Sequence, residues 1–203
     1  MNEITIVTPI YCEEKNISTF LERLITTIEK ITKEYEIIFV LDPSPDSTEE
    51  ILTNISKKNK NIKIIKMSRR FGQPAATMAG IKNSNGKYVV VIDCDLQDPP
   101  ELIVEMYNKI REGFDVIYAK RRSRDGETYI KKIVSKFGYR LIDFLSDIKI
   151  PPDVGDFRII TNRVAKEISN FKEHESYLRG IVSYIGFKQD FIEFKRDKRF
   201  LGE

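Results

Sequence analysis

Three aspartates stand close together directly after an apolar run, in the segment YVVVIDCDLQDPPE, at Asp93, Asp95 and Asp98. Carboxylates this close repel one another unless something positive lies among them. If the run is a buried strand, side chains two residues apart point the same way, so Asp93 and Asp95 share one face at its end. Oxygen donors suit Mg²⁺ or Mn²⁺ rather than zinc, and Mg²⁺ held by few carboxylates completes its shell with water and phosphate. The pattern predicts a divalent-cation site that binds a diphosphate.

A local structural role is the alternative for two of these aspartates. Asp95 and Asp98 could shape a turn and cap the following helix. For Asp98 this is the role we expect, because Asp98, Pro99 and Glu101 have the spacing of an N-cap, a first-turn proline and a capping-box partner.

Basic residues supply a second candidate for phosphate contact. Arginines follow the fifth predicted strand and occur again near the end of the chain, at Arg121, Arg122, Arg124, Arg196 and Arg199. Guanidinium groups match phosphate oxygens, although a charged run is also typical of a solvated face. The first group of arginines would lie beside the predicted cation site, which favours phosphate contact there.

The elements that must position these residues alternate between strand and helix. Apolar runs predict strands at 4–9, 36–41, 62–67, 88–93 and 115–119, and amphipathic stretches predict helices at 14–32, 47–59, 73–83 and 99–112. This alternation is typical of a mostly parallel α/β sheet flanked by helices. Ligands of such sheets bind beyond the carboxyl ends of the strands, where the aspartates fall.

The second half of the chain has a mixed pattern. A basic loop at 120–127 precedes an amphipathic helix at about 130–145, a PPDVGDFRII segment, a helical stretch to about Tyr184 and a terminal strand at 187–199. The apolar stripe of the 130–145 helix could pack on the sheet or meet a membrane surface. No linker divides the chain, so we expect one domain over 1–203, with a donor half to about 119 and an acceptor half after it.

Composition narrows the function classes. The 203 residues carry 34 Lys and Arg against 31 Asp and Glu, and a net charge of +3 does not indicate a polyanionic partner such as nucleic acid. Two distant cysteines favour reduced thiols in a cytosolic compartment. No apolar run reaches the length of a transmembrane helix, so we expect the chain itself to be soluble.

Several segments together resemble family-2 glycosyltransferases of the GT-A fold, most closely the polyprenyl-phosphate sugar transferases. These segments are TPIYCEEKNI, LDPSPDST, SRRFGQPAATMAGIKNSNGKYVVVIDCDLQDPPE, GDFRII and YLRGIVSYIGFKQDFIEFKRDKRFLGE. The resemblance covers nearly the whole chain. Within the family the chain is similar to dolichol-phosphate mannose synthase and, more closely, to the bactoprenol glucosyltransferases. It implies a Rossmann-like, GT-A central sheet with a smaller mixed C-terminal portion.

The resemblance also implies roles for matching residues. By this resemblance, Asp93, Asp95 and Gln97 would bind the metal and the diphosphate. The nucleotide pocket would be lined by Pro9, Tyr11, Glu13 and Asp42. Asp95 and Asp156 would be catalytic, with Asp156 a base or an acceptor-orienting group. Donor and acceptor phosphates would be bound by Arg121, Lys131, Ser135, Arg196 and Arg199.

Two features of this chain differ from the sequences of these relatives. Leu41 and Pro43 flank Asp42 where many relatives have a polar residue and glycine. The identity of the nucleotide base therefore stays open. The relatives also carry transmembrane helices after the motif that ends here at Glu203, so we expect a C-terminal membrane anchor to be absent from this chain.

The function we expect is metal-dependent, inverting transfer of a hexose to a polyprenyl phosphate at the cytoplasmic membrane face. The expected donor is UDP-glucose, from which glucose is transferred, and GDP-mannose is the alternative. The enzyme could also be a homo-oligomer. Other hypotheses remain open: a family-2 transferase acting on a saccharide hydroxyl, or a non-catalytic module that binds nucleotide sugars or nucleic acid.

Overall fold

The computed structural model describes residues 2–122, 154–171 and 178–194. The strands in these ranges are β1 (Ile4–Ile10), β2 (Tyr35–Leu41), β3 (Ile62–Lys66), β4 (Tyr88–Val91), β5 (Val116–Arg121), β6 (Val154–Thr161) and β7 (Gln189–Phe194). The helices are α1 (Ile17–Ile28), α2 (Thr48–Lys58), α3 (Gln73–Lys82), α4 (Leu102–Ile110), α5 (Asn162–Asn170) and α6 (Leu178–Tyr184). The predicted helix at 130–145 lies outside the described residues.

All these strands form one sheet, in the order β3-β2-β1-β4-β6-β5-β7. Every neighbouring pair is parallel except those of β6, which runs antiparallel to both β4 and β5. The start of β6 therefore lies at the same edge of the sheet as the carboxyl ends of the other strands. The predicted mostly parallel sheet with a mixed second half is confirmed.

The central strands are buried on both faces because helices cover both. Every residue of β1, β2 and β4 is buried, which explains their nearly continuous apolar sequences. Phe20 and Leu24 of α1 pack with Ile6 on one face of the sheet. On the other face α3 approaches β1 so closely that a Cβ on Gly80 would overlap with Val7 Cγ1.

The boundaries of the predicted elements differ from the structure mainly at the site. Helix α1 begins at Ile17 rather than Glu14, because the chain first makes a turn in which Asn16 N donates to Glu13 O at 2.9 Å. Strand β4 ends at Val91, two residues before Asp93. In the described part of the chain, no helix is both long and apolar enough to span a bilayer.

Candidate active site

A pocket of about 210 Å³ opens at the carboxyl ends of β1, β2 and β4. Residues from these strand ends, the loops that follow them and the start of α3 line it: Pro9, Ile10, Tyr11, Glu13, Asp42, Gln73, Ala76, Asp93, Cys94 and Asp95. This pocket therefore brings together six predicted site residues at the predicted edge of the sheet: Pro9, Tyr11, Glu13, Asp42, Asp93 and Asp95.

The loop after β4 carries the two aspartates of the predicted cation site. Asp95 Oδ1 accepts a hydrogen bond from the backbone N–H of Gln97 at 3.0 Å, which fixes the carboxylate within a tight turn. Leu96, between them, has a φ of 61°, a left-handed conformation that is unfavourable for a leucine. Cys12, beside Tyr11 in the loop after β1, has a φ of 54°. Backbone strain of this kind is concentrated at functional sites.

Asp93 lies in a strongly acidic environment. Burial, and after it the charges of Asp95, Asp98 and Asp156, raise the pKa of its carboxyl group to about 7, while the charge of Arg121 opposes this rise. A carboxyl group in this setting gives up its proton readily when a cation arrives, because the cation removes the repulsion.

Asp98 does not have the predicted role. Helix α4 begins at Leu102 with Glu101 as its N-cap residue, so Asp98 lies too far from the helix to cap it. Both Asp98 carboxylate oxygens lie 3.4 Å from Nη2 of Arg121, and Glu101 instead forms an ion pair with Arg23 at 2.8 Å. Arg121 is thereby held beside the acidic cluster of Asp93, Asp95, Asp98 and Asp156. Its buried Nε has no hydrogen-bond partner among the described residues.

Asp156 joins the cluster from the antiparallel strand. Arg158 of β6 is opposite Val91 of β4, and two residues nearer the start of β6 the chain reaches Asp156 at the level of Asp93. Asp156 Oδ1 accepts hydrogen bonds from Arg158 Nη2 at 3.2 Å and from Arg179 Nε at 3.3 Å. Asp156 is thus fixed by cations from β6 and α6.

The loops after β1 and β2 form the part of the pocket in which the sequence predicted a nucleotide. The guanidinium of Arg70 lies 4.0 Å from the centre of the Tyr11 ring, a cation–π contact. Glu13 Oε2 accepts a hydrogen bond from Asn16 at 2.6 Å. Asp42 is buried and accepts hydrogen bonds from the backbone N–H groups of Phe71 and Gly72 at 3.2 and 2.8 Å. Asp42 therefore supports the loop before α3 as well as lining the pocket.

The remaining predicted residues are less central or are not described. The Gln97 side chain is not among the groups that line the pocket, and Gln97 acts on Asp95 through its backbone. Lys131, Ser135, Arg196 and Arg199 lie outside the described residues.

Sequence reasoning missed three residues of this site. Gln73 donates a hydrogen bond from Nε2 to Asp93 Oδ1 at 2.8 Å, and Arg158 and Arg179 hold Asp156. The signal for Gln73 was its place at the start of the helix predicted at 73–83, and that place alone did not indicate a contact with Asp93. Arg158 stands two places from Asp156 in GDFRII, but this segment was not predicted as a strand.

The carboxylates of Asp93 and Asp95 fit a hard divalent cation such as Mg²⁺ or Mn²⁺. They are oxygen donors in one pocket, and the raised pKa of Asp93 reflects burial together with negative charge that a cation would offset. No group of three or more His, Cys, Asp or Glu side chains suited to a metal occurs within 2–122, 154–171 and 178–194. A cation here would therefore need ligands from water or a bound phosphate as well.

Solved structures share this fold. A mannosyltransferase from Pyrobaculum calidifontis in complex with GDP-Man and Mn²⁺ superposes with a TM-score of 0.71 at 13% identity, over 97% of this chain and 56% of the other. Staphylococcus aureus TarS in complex with UDP gives 0.63 at 19% identity, over 97% and 59%. The fold is that of the GT-A glycosyltransferases.

Sequence comparison gives the family. Residues 5–169 match Glycosyl transferase family 2, and the chain belongs to this family. An uncharacterized glycosyltransferase of Bacillus subtilis is 44% identical over 99% of this chain and 62% of its own length. A prophage bactoprenol glucosyl transferase homolog of Escherichia coli is 32% identical over 99% of this chain and 66% of its own length. The chain thus spans less than two thirds of the length of these relatives.

Proposed function

We propose that this glycosyltransferase moves a hexose, glucose from UDP-glucose, onto the phosphate of a polyprenyl phosphate. The observation that carries the proposal is the single pocket that Asp93 and Asp95 line together with Tyr11 and Asp42, the residues that we propose for the nucleotide. The choice of sugar and acceptor is supported by relatives named bactoprenol glucosyl transferase, which are 32% identical over 98% of this chain. A lipid acceptor also implies that the reaction takes place at a membrane, and we place it at the cytoplasmic face as part of the proposal.

On the donor side, Asp93 and Asp95 would hold Mg²⁺ or Mn²⁺ together with the diphosphate of the nucleotide sugar. When bound, the cation supplies Lewis-acid stabilisation of the charge that develops on the leaving diphosphate. Gln97 supports this site by fixing Asp95 through its backbone N–H. Pro9, Tyr11, Glu13 and Asp42 would surround the nucleoside.

On the acceptor side, the nucleophile is an oxygen of the acceptor phosphate. It forms a bond to the anomeric carbon while the bond from that carbon to the donor diphosphate breaks, and attack opposite the leaving group inverts the anomeric centre. A phosphate is largely ionised near neutral pH, so no strong base is needed. Asp156 orients the acceptor in this scheme, and Arg121, Lys131, Ser135, Arg196 and Arg199 bind phosphate groups.

The test is an extraction assay with UDP-[¹⁴C]glucose, Mn²⁺ and undecaprenyl phosphate in detergent micelles. We expect label in the organic phase, and we expect Asp95→Ala to abolish it while retaining the thermal unfolding midpoint within a few degrees. GDP-[¹⁴C]mannose is run in parallel to identify the donor.

Two other outcomes would overturn the proposal. Label that enters only water-soluble oligosaccharide, with saccharide acceptors supplied, would indicate a family-2 transferase that transfers the sugar to a saccharide hydroxyl. Binding of UDP sugars without turnover on either kind of acceptor would indicate a non-catalytic binding module.

A further inference from the structure

Gln73 is a polar residue of the pocket to which neither the proposed mechanism nor the sequence motifs give a role. It is the first residue of α3 and lines the same pocket as Asp93 and Asp95. Its side-chain amide donates a hydrogen bond from Nε2 to Asp93 Oδ1 at 2.8 Å. One of the two carboxylates of the candidate cation site is thus already held by a neighbouring side chain.

The backbone around Gln73 is fixed from a second strand. The Asp42 carboxylate, at the end of β2, accepts hydrogen bonds from the backbone N–H groups of Phe71 and Gly72. Gly72 has φ 88° and ψ 166°, a conformation that essentially only glycine adopts. Helix α3 begins at the next residue, so the bonds to Asp42 determine where Gln73 enters the pocket.

The chemistry of an amide suits this position. Asp93 already lies among the charges of Asp95, Asp98 and Asp156, so a further carboxylate would add repulsion and a lysine would compete with a cation. An amide NH₂ group is neutral and donates to a carboxylate in its ionised state. It can therefore orient Asp93 without changing the net charge of the site.

We propose that Gln73 is a positioning residue that holds the Asp93 carboxylate ready for the divalent cation. The proposal rests on the cation-dependent function given above and extends it to a residue outside the aspartate motif. Hydrogen-bonding partners of metal-binding carboxylates in other proteins contribute about 10- to 100-fold to metal affinity or activity.

The experiment measures Mn²⁺ binding directly, by electron paramagnetic resonance of free Mn²⁺ in the presence of UDP. Gln73→Met keeps the length of the side chain and removes the amide, and Gln73→Ala removes both. The matched control is Asn83→Ala at the other end of α3, where the amide donates to Ala79 O at 2.8 Å, away from the pocket. Circular dichroism and the unfolding midpoint check that each variant is folded.

We expect both Gln73 variants to bind Mn²⁺ about 10-fold more weakly or worse, and Asn83→Ala to match the wild type. The Mn²⁺ concentration for half-maximal turnover should rise in the same proportion, with most of kcat restored at saturating Mn²⁺. A purely structural role for Gln73 would not give this rescue by metal.

A Mn²⁺ affinity of Gln73→Met within twofold of the wild type would overturn the inference, whatever Gln73→Ala does. If wild-type protein with UDP binds no Mn²⁺, the cation-dependent function itself fails. The two failures are therefore distinguished by the wild-type titration.

Discussion

Arg158 is completely buried within the sheet, and its Nη2 atom lies 3.2 Å from Oδ1 of Asp156, two residues earlier on the same strand. The same guanidinium donates to the backbone oxygens of Asp156 and Gly155 at 3.0 and 3.1 Å. A buried arginine thus binds the backbone and the side chain at the start of β6, and it sets Asp156 beside the acidic cluster.

Replacing Arg158 should damage both stability and catalysis. Arg158→Met fills a similar volume but leaves the Gly155 and Asp156 carbonyl oxygens without these donors, which should lower the free energy of unfolding by about 1–3 kcal/mol. Urea denaturation measures this loss. Arg158→Lys keeps the charge without the planar fork and should fall between Met and wild type. A Met variant as stable and active as the wild type would show that Arg158 does not position Asp156.

Arg179 should matter for turnover more than for stability. Its Nε lies 3.3 Å from Asp156 Oδ1, and its side chain is 38% exposed, so its ion pair contributes at most about 1 kcal/mol to folding. We expect Arg179→Gln to lower kcat about 10-fold, equivalent to roughly 1.4 kcal/mol in the activation barrier.

The control for Arg179 is Arg163, which pairs with Asp115 at the amino end of β5, on the opposite edge of the sheet. Arg163→Gln also removes an arginine–aspartate pair, here between an exposed arginine and a buried aspartate, and should leave kcat within about twofold of the wild type. Equal losses of kcat in both variants would mean that the effect of Arg179 is not local to the site.

The acidic cluster should make the folding stability of the cation-free protein depend on pH. Burial and the neighbouring carboxylates raise the pKa of Asp93 to about 7, above its ordinary value of 3.8. The folded state therefore binds the proton more tightly than the unfolded state, and the stability linked to this group is lost as pH rises from about 4 through 7. Thermal unfolding in EDTA between pH 5 and 8 should show this decline.

Asp93→Asn should flatten this part of the pH profile and raise the unfolding midpoint at pH 8 by about 2–4 °C per kcal/mol of relieved repulsion. Mn²⁺ should raise the midpoint of the wild type and not that of the variant. A wild-type midpoint that rises across this pH range, relative to the variant, would contradict the account of the cluster.

Much of the fold could be predicted from sequence because the central strands are buried on both faces. Continuous apolar runs identified β1, β2 and β4, and turns after them placed the aspartates at the binding edge. Strand β6 was missed because GDFRII contains Asp156 and Arg158, whose polar side chains hide a strand in the middle of the sheet.

The contacts of the site could be predicted less well, because they join residues that are distant in sequence. The local spacing of Asp98, Pro99 and Glu101 indicated a helix cap, whereas the structure pairs Asp98 with Arg121 at 3.4 Å. Nothing near Gln73 in the chain indicates that it reaches Asp93. Local patterns thus located the site, and tertiary packing decided the partner of each charge.

The central claim is that Asp93 and Asp95 bind a divalent cation together with the donor diphosphate. The most direct test is anomalous diffraction from a crystal soaked in Mn²⁺ and UDP. We predict one manganese peak within about 2.2 Å of carboxylate oxygens from both aspartates and of a UDP phosphate oxygen. Bound UDP with no manganese at these aspartates, in an enzyme that still requires Mn²⁺ for turnover, would contradict the claim.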